Sequence, residues 1–137
     1  MTANSVNSQS SLTNMQKWIE INQPAWLNEL MTFLSFPSIS SEPKFKESVL
    51  ECADWIVHYL QDLDFEVELW PTHGHPVIFA SNMKAGPSKP TLLIYHHYDV
   101  QPADPLEEWH SPPFEPRIHE GQIYARGAQD NKGQCFY

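Results

Sequence analysis

The sequence predicts an α/β fold in which helices come first along the chain and strands follow. Up to Leu60, apolar residues recur at helical spacing. From Phe65 onward they alternate with polar residues or form short continuous runs, as they do in strands. The 137 residues, of which 41% are hydrophobic, suffice for one globular domain with a buried core. We therefore expect helices packed against a sheet.

Two helices are expected in the first half of the chain. Residues 1–12 are polar and predict a disordered N-terminus. Thr13 begins a capping box, which indicates the start of the first helix. Pro24 interrupts this helix, most simply as the first residue of a restarted helix that ends near Pro37. A second helix starts at about Pro43, and its apolar face consists of Val49, Ala53, Ile56, Val57 and Leu60.

The second half of the chain predicts strands. Residues 65–69 alternate apolar and acidic side chains, which indicates a half-buried strand, and residues 76–83 predict another. Residues 91–95 are nearly all apolar and predict a strand buried on both faces. Residues 121–124 predict a short strand, and a further helix opens at Asn131.

Composition excludes several classes of function. A formal net charge of −9 argues against nucleic acid or an anionic membrane as a partner, because both require clustered Lys and Arg. No apolar stretch approaches the roughly twenty residues that span a bilayer, and the polar N-terminus does not resemble a signal peptide. Cys52 and Cys135 have no metal-binding spacing, so reduced thiols in a cytoplasmic protein are expected.

A His-x-Asp pair follows the predicted buried strand. His97 and Asp99 are two residues apart, so on a strand their side chains point to the same face. An imidazole can ligate zinc, and a neighbouring carboxylate can orient the imidazole or coordinate directly. Taken alone, however, such a pair is more often a hydrogen-bonded pair at the surface.

Asp130 is the second candidate carboxylate, and its spacing leaves two interpretations open. An Asp before a helix is usually an N-cap, but the same position suits a carboxylate that bridges two metal ions. The charges of Arg126 and Lys132 on either side are expected to be solvated or paired with carboxylates. Four other histidines lie in turns and loops and are expected at the surface: His73, His75, His110 and His119.

Three motifs in order identify a family resemblance. They are YHHYDVQP at residues 95–102, WHSPPF at residues 109–114 and GQIYARGAQDNKG at residues 121–133. Together they closely resemble the M20 metallopeptidases, a family of dipeptidases, carboxypeptidases, aminoacylases and deacetylases with two zinc ions. The first two motifs are most similar to the cytosolic dipeptidase branch, which includes carnosine-type dipeptidases.

The resemblance implies roles for the candidate residues. His97 would be a zinc ligand, Asp99 the catalytic-site carboxylate that orients its imidazole, and Asp130 the carboxylate that bridges two Zn²⁺ ions, with Mn²⁺ as a substitute. Asp130 would also precede a cis peptide bond. Residues 13–137 would form the N-terminal, truncated portion of a zinc-aminopeptidase-like, three-layer α/β/α catalytic domain with a mixed sheet.

The implied activity of the parent enzyme is hydrolysis of the amide bond in dipeptides or similar short peptides. The family's paired glutamates, its remaining zinc ligands and its dimerisation domain have no counterpart in this sequence, so the chain alone is expected to be inactive. The parent is expected to be a homodimer through that absent domain. The alternatives are a non-catalytic truncated product or partner-binding half-domain, and a parent that is an N-acyl-amino-acid deacylase.

Overall fold

A computed structural model gives the fold of residues 3–137, with side chains described from Leu12 onward. Helices and strands follow one another as the α/β class predicts. In addition, two short 3-10 turns lie at Pro43–Phe45 and Leu106–Glu108. The elements in chain order are α1 (Ala3–Ser35), α2 (Lys46–Asp62), β1 (Glu66–Trp70), β2 (Val77–Ser81), β3 (Arg117–His119), β4 (Gln122–Tyr124) and α3 (Lys132–Phe136).

The first helix is longer than the sequence predicts. It begins at Ala3, where a disordered terminus over residues 1–12 was expected, and it passes through Pro24 without a break. Met1 and Thr2 lie outside the described residues. No glycine or proline occurs between residues 3 and 23, so nothing in this stretch ends a helix. Pro24 removes one N–H donor, but the following turns are held by the buried side chains of Phe33 and Leu34.

The core lies between the C-terminal half of α1 and one face of α2. On α2, Val49 and Ala53 are fully buried and Ile56 is nearly so, as the helical spacing predicts. The aromatic ring of Phe33 stacks on Trp55 with the ring centroids 5.2 Å apart. Burial of these apolar side chains provides the main stabilisation of the helix pair. No helix in the described part of the chain is long and apolar enough to cross a bilayer.

The strands form two separate antiparallel hairpins. In the first, β1 pairs with β2 so that Glu66 lies opposite Ser81, which confirms the strands predicted at residues 65–69 and 76–83. In the second, β3 pairs with β4, and only β4 was predicted. The turn between them places Gly121 at φ +75°, a conformation that glycine adopts without strain.

The prediction of a buried strand at residues 91–95 is wrong. This segment pairs with no strand among the described residues, and its side chains face solvent. Leu92 is 81% exposed and Leu93 is 86% exposed. Strong apolar character favours burial, but a strand is buried only where neighbouring strands and helices cover it. No described segment covers residues 91–95.

Candidate metal centre

The sequence-predicted site residues lie together. The Nε2 atom of His97 is 3.2 Å from Oδ1 of Asp130, although the two residues are 33 positions apart. On the other side of the ring, Nδ1 of His97 donates to Oδ1 of Asp99 at 3.0 Å. The imidazole is therefore held between two carboxylates, one at each ring nitrogen. The predicted proximity of His97, Asp99 and Asp130 is confirmed.

Two glycines bring Asp130 to this position. Gly127 has φ +86°, and a Cβ atom there would lie 2.7 Å from Cγ1 of Val100. A Cβ atom on Gly133 would lie 2.2 Å from the carbonyl oxygen of Ala128. Both contacts are closer than side chains tolerate. Glycine at position 127 therefore lets the turn before Asp130 approach Val100, and glycine at position 133 lets the first turn of α3 lie against the carbonyl of Ala128.

Asp130 is not the N-cap of α3. The cap position is Asn131, which makes no side-chain capping hydrogen bond, while the Asp130 carboxylate faces His97. The Asp130–Asn131 peptide bond is cis, as the resemblance implies. The side-chain amide oxygen of Asn131 lies 3.1 Å from Nδ1 of His96. The capping interpretation of Asp130 is therefore excluded, and its carboxylate is available to a ligand.

Lys132 is buried, so the expectation that its charge is solvated or paired with a carboxylate is wrong. Its side chain is fully buried, and its ammonium group donates to the carbonyl oxygens of Phe33 at 2.9 Å and Phe36 at 2.7 Å. These carbonyls lie at the C-terminal end of α1, where helix carbonyls lack helical partners and a cation is favoured. Burial lowers the pKa of Lys132 to about 8. The lysine therefore anchors the Asp130 loop to α1.

Asp99 is held in turn by the loop that follows α1. The Ser40 hydroxyl donates to Oδ2 of Asp99, and the carbonyl oxygen of Ser40 accepts from Nε2 of His75 at 3.0 Å. Neither Ser40 nor His75 was predicted to belong to the site, and His75 was expected at the surface. A serine in a Ser/Pro-rich loop carries no signal of its own, because this contact depends on two segments far apart in sequence.

The Arg126 side chain, expected to be solvated or paired with a carboxylate, lies over an aromatic ring instead. Its guanidinium carbon is 5.1 Å from the centroid of the Trp109 ring, and its backbone N–H donates to the carbonyl of Pro113 at 2.8 Å. These contacts join the long loop before β3 to the turn that precedes Asp130. Arg126 therefore supports the loop through Trp109 and Pro113.

The carboxylates on either side determine the protonation of His97. Partial burial lowers the pKa of His97, but hydrogen bonds to the backbone and side chain of Asp99, the charge of Asp99, and the contact with Asp130 outweigh burial. The pKa of His97 is therefore raised above its ordinary value. Both carboxylates remain partly exposed, with the Asp130 side chain 77% exposed, so a ligand from solvent can reach them.

The donor set fits a divalent metal ion. Two atoms bound to one zinc ion at about 2.0–2.1 Å with tetrahedral angles lie about 3.3 Å apart. The separation of the His97 and Asp130 donors, 3.2 Å, agrees with this value. Among the described residues, no group of three or more His, Cys, Asp or Glu side chains could hold a metal ion, at this site or at any other. The described residues therefore provide two donors of a site.

Comparison with known proteins shows which family matches the region of sequence that contains these three site residues. The family model for peptidase family M20/M25/M40 matches residues 93–137, which include all three site residues. The Cys-Gly metallodipeptidase of Schizosaccharomyces pombe is 31% identical over 133 residues, covering 90% of this chain and 28% of that protein. The chain belongs to the M20 peptidase family. Both comparisons confirm the resemblance that the three sequence motifs indicate.

Other relatives support the M20 assignment and the fold. The crystal structure of human carnosine dipeptidase 1 has a TM-score of 0.82 and 28% identity, covering 91% of this chain and 29% of that chain. The succinyl-diaminopimelate desuccinylase of Thiobacillus denitrificans is 41% identical over 81 residues, covering 59% of this chain and 20% of that protein. The chain thus has the α/β fold of part of an M20 catalytic domain and spans less than a third of these relatives' length.

Proposed function

We propose that this chain contributes two metal ligands, His97 and Asp130, to the centre of an M20-family dipeptidase. The observation that carries the proposal is the 3.2 Å separation of His97 Nε2 and Asp130 Oδ1, which fits two donors to one ion. The proposed metal is Zn²⁺, two ions in the whole enzyme, with Mn²⁺ as a substitute. An imidazole and a carboxylate suit either ion.

The residues of this chain have distinct roles in the proposed chemistry. A divalent ion, when bound, polarises the scissile carbonyl and lowers the pKa of water. His97 and Asp130 would hold it, with Asp130 as the bridging carboxylate. Asp99 accepts a hydrogen bond from Nδ1 of His97, so that the lone pair of Nε2 faces the site and the ring keeps one orientation.

We propose a dipeptide or similar short peptide as the substrate of the whole enzyme. Two of the relatives above are named as dipeptidases, a Cys-Gly metallodipeptidase and a carnosine dipeptidase. The second candidate is an N-acyl-amino-acid deacylase, which the 41% identity with a desuccinylase favours. Both reactions cleave an amide bond, so the same metal ligands serve either. We propose that the whole enzyme is cytoplasmic and is a homodimer whose interface lies in a domain outside these residues.

The 137-residue chain by itself should not hydrolyse dipeptides. Catalytic zinc has three protein ligands and an open position, whereas the described residues provide two donors and no third. A positioned general base contributes about 10²–10⁴-fold in rate, and the described residues place no second carboxylate beside the pair except Asp99, which is engaged by Ser40 and His97.

A chimera tests the proposed function. This chain would replace the matching part of the S. pombe Cys-Gly metallodipeptidase, and hydrolysis of Cys-Gly, carnosine and N-succinyl-diaminopimelate would be assayed with Zn²⁺ or Mn²⁺. We expect dipeptide hydrolysis that His97→Ala abolishes and that His110→Ala, a change at an exposed histidine, leaves intact. Hydrolysis of the succinyl substrate alone would favour the deacylase.

The remaining candidate is a non-catalytic, partner-binding half-domain. The exposed apolar side chains of Leu92, Leu93, Ile94 and Tyr95 favour it, because such a patch is typical of interaction surfaces. A chimera that folds with a cooperative thermal transition, binds metal and yet hydrolyses none of the substrates would support this candidate and contradict the proposed dipeptidase.

A further inference from the structure

The loop after α1 runs beside the segment that carries the site. Ile39 and Val100 form a parallel β-bridge, and the backbone N–H of Val100 donates to the carbonyl of Ser38 at 2.9 Å. The buried hydroxyl of Ser38 donates to the carbonyl of Tyr98 at 2.8 Å. These contacts fix the register of residues 38–40 against residues 98–100. Ile39 is next to Ser40 in sequence and Val100 is next to Asp99, so the bridge brings Ser40 and Asp99 together.

Ser40 and His97 occupy the two oxygens of one carboxylate. The Ser40 hydroxyl donates to Oδ2 of Asp99, while Oδ1 accepts from Nδ1 of His97 at 3.0 Å. A carboxylate held at both oxygens cannot rotate without breaking a hydrogen bond to a charged acceptor, which is stronger than one between neutral groups. The carbonyl of Ser40 is itself held by His75 at 3.0 Å.

The fixed carboxylate of Asp99 determines which nitrogen of the His97 ring carries the proton. With Oδ1 of Asp99 fixed beside it at 3.0 Å and the backbone carbonyl of Asp99 at 3.2 Å, Nδ1 of His97 has two acceptors. Nε2 has only the exposed carboxylate of Asp130 at 3.2 Å. The neutral ring therefore favours the tautomer with its proton on Nδ1. The lone pair of Nε2 then faces Asp130, 3.2 Å away. If Asp99 rotated freely, the ring could carry its proton on either nitrogen, and the tautomer with its proton on Nε2 would have its lone pair on Nδ1, the nitrogen that does not face Asp130.

We propose that Ser40 is a positioning residue for His97: by holding Asp99, it fixes the tautomer and orientation of the imidazole. The tautomer claim concerns the free protein, whereas its benefit to metal binding rests on the proposed function. Partners that orient metal ligands typically change metal affinity 10–100-fold. We therefore expect loss of the Ser40 hydroxyl to weaken Zn²⁺ binding by about tenfold or more.

The test uses the whole chain and two readouts. The first is NMR of the imidazole nitrogens at a pH where neutral histidine dominates, which reports the tautomer of His97 without metal. The second is the Zn²⁺ dissociation constant by calorimetry. We expect wild type and Ser40→Thr, which keeps the hydroxyl, to show the Nδ1–H tautomer. Ser40→Ala should show mixed tautomers and weaker Zn²⁺ binding, and Ser41→Ala, at an exposed neighbour, should match wild type.

The outcomes separate the two claims. A Ser40→Ala protein with the wild-type tautomer and unchanged Zn²⁺ affinity would overturn the positioning role. If wild type binds no Zn²⁺ while Ser40→Ala still shifts the tautomer, the proposed function fails and the positioning of His97 stands. Should Ser40→Ala not fold, Ser40→Cys replaces it, because a thiol has similar size but donates weakly. An unshifted tautomer in that variant would likewise overturn the proposal.

Discussion

The ammonium group of Lys132 lies 2.7 Å from the carbonyl oxygen of Phe36, which joins the residue two positions after Asp130 to the end of α1. A second hydrogen bond, to the carbonyl of Phe33 at 2.9 Å, completes the anchor. Through this contact the loop that carries Asp130 is part of the core between the helices. The geometry of the site and the stability of the fold should therefore depend on the same side chain.

Replacing Lys132 by methionine should destabilise the protein. The change removes two charge-assisted hydrogen bonds, to the carbonyls of Phe33 and Phe36, and relieves the cost of a buried charge. The Phe36 carbonyl keeps the N–H of Ser38 at 2.8 Å, so the larger loss is at Phe33. We expect a net loss of about 2–3 kcal/mol in the free energy of unfolding, measured by denaturant titration. The control is Lys89→Met at an exposed lysine. A Lys132→Met variant as stable as this control would contradict the anchoring role.

Replacing Gly127 by alanine should both destabilise the fold and weaken metal binding. Gly127 and Gly86 have similar positive φ angles, +86° and +89°, but only at Gly127 would a Cβ atom meet a neighbour, Val100 Cγ1 at 2.7 Å. Gly86→Ala therefore measures the cost of the conformation alone. We expect Gly127→Ala to cost about 1–3 kcal/mol more than Gly86→Ala. Equal losses would show that the close approach to Val100 is not needed.

The stability of the protein should fall at alkaline pH partly because of Cys135. Burial raises the pKa of this thiol from 9.0 to about 11. The unfolded thiol loses its proton near pH 9, whereas the folded thiol keeps its proton to about pH 11. Between these values the folded state binds more protons, so the free energy of unfolding decreases as pH rises.

The Cys135→Ala variant tests this pH dependence. Its free energy of unfolding, measured by denaturant titration from pH 9 to pH 11, should decrease less steeply than that of wild type. Burial also raises the pKa of Cys52, so a part of the decrease should remain. Identical slopes for wild type and Cys135→Ala would show that the thiol ionises equally in the folded and unfolded chains.

The exposed segment at residues 91–95 should make the chain self-associate. Leu93 is 86% exposed among other apolar side chains, and a segment that pairs with no strand in the described part of the chain offers its backbone to another chain. We expect Leu93→Lys to lower the sedimentation-average mass of concentrated protein and to leave its melting temperature unchanged. Met83→Lys makes the same change of charge at an exposed position elsewhere. Monodisperse, monomeric wild type would contradict the prediction.

The sequence predicts local elements and the site better than it predicts burial. The apolar face of α2 and the alternation in β1 are local patterns, and both elements form where the patterns indicate. His97 and Asp130 could be placed together because their motifs match a family. By contrast, the exposure of residues 91–95 depends on which segments cover them, and the burial of Lys132 depends on carbonyls nearly a hundred residues away. Side-chain type alone carries no information on either.

The contact between Ser40 and Asp99 was missed for a related reason. It depends on the parallel bridge between Ile39 and Val100, two segments that are 59 to 61 residues apart along the chain. A single serine in a loop has no periodicity and matches no metal-binding spacing. Only the folded chain shows that its hydroxyl holds the carboxylate that holds His97.

The most direct test of the proposed metal centre is a Zn²⁺ titration of the chain, followed by NMR of its imidazole nitrogens. We expect the Nε2 resonance of His97 to shift on Zn²⁺ binding, while Nδ1 keeps its proton and its hydrogen bond to Asp99. We also expect Asp130→Asn to weaken this binding and Glu107→Gln, at an exposed carboxylate, to leave it unchanged. A His97 resonance that stays unchanged while other histidines bind Zn²⁺ would contradict the assignment of His97 and Asp130 as metal ligands.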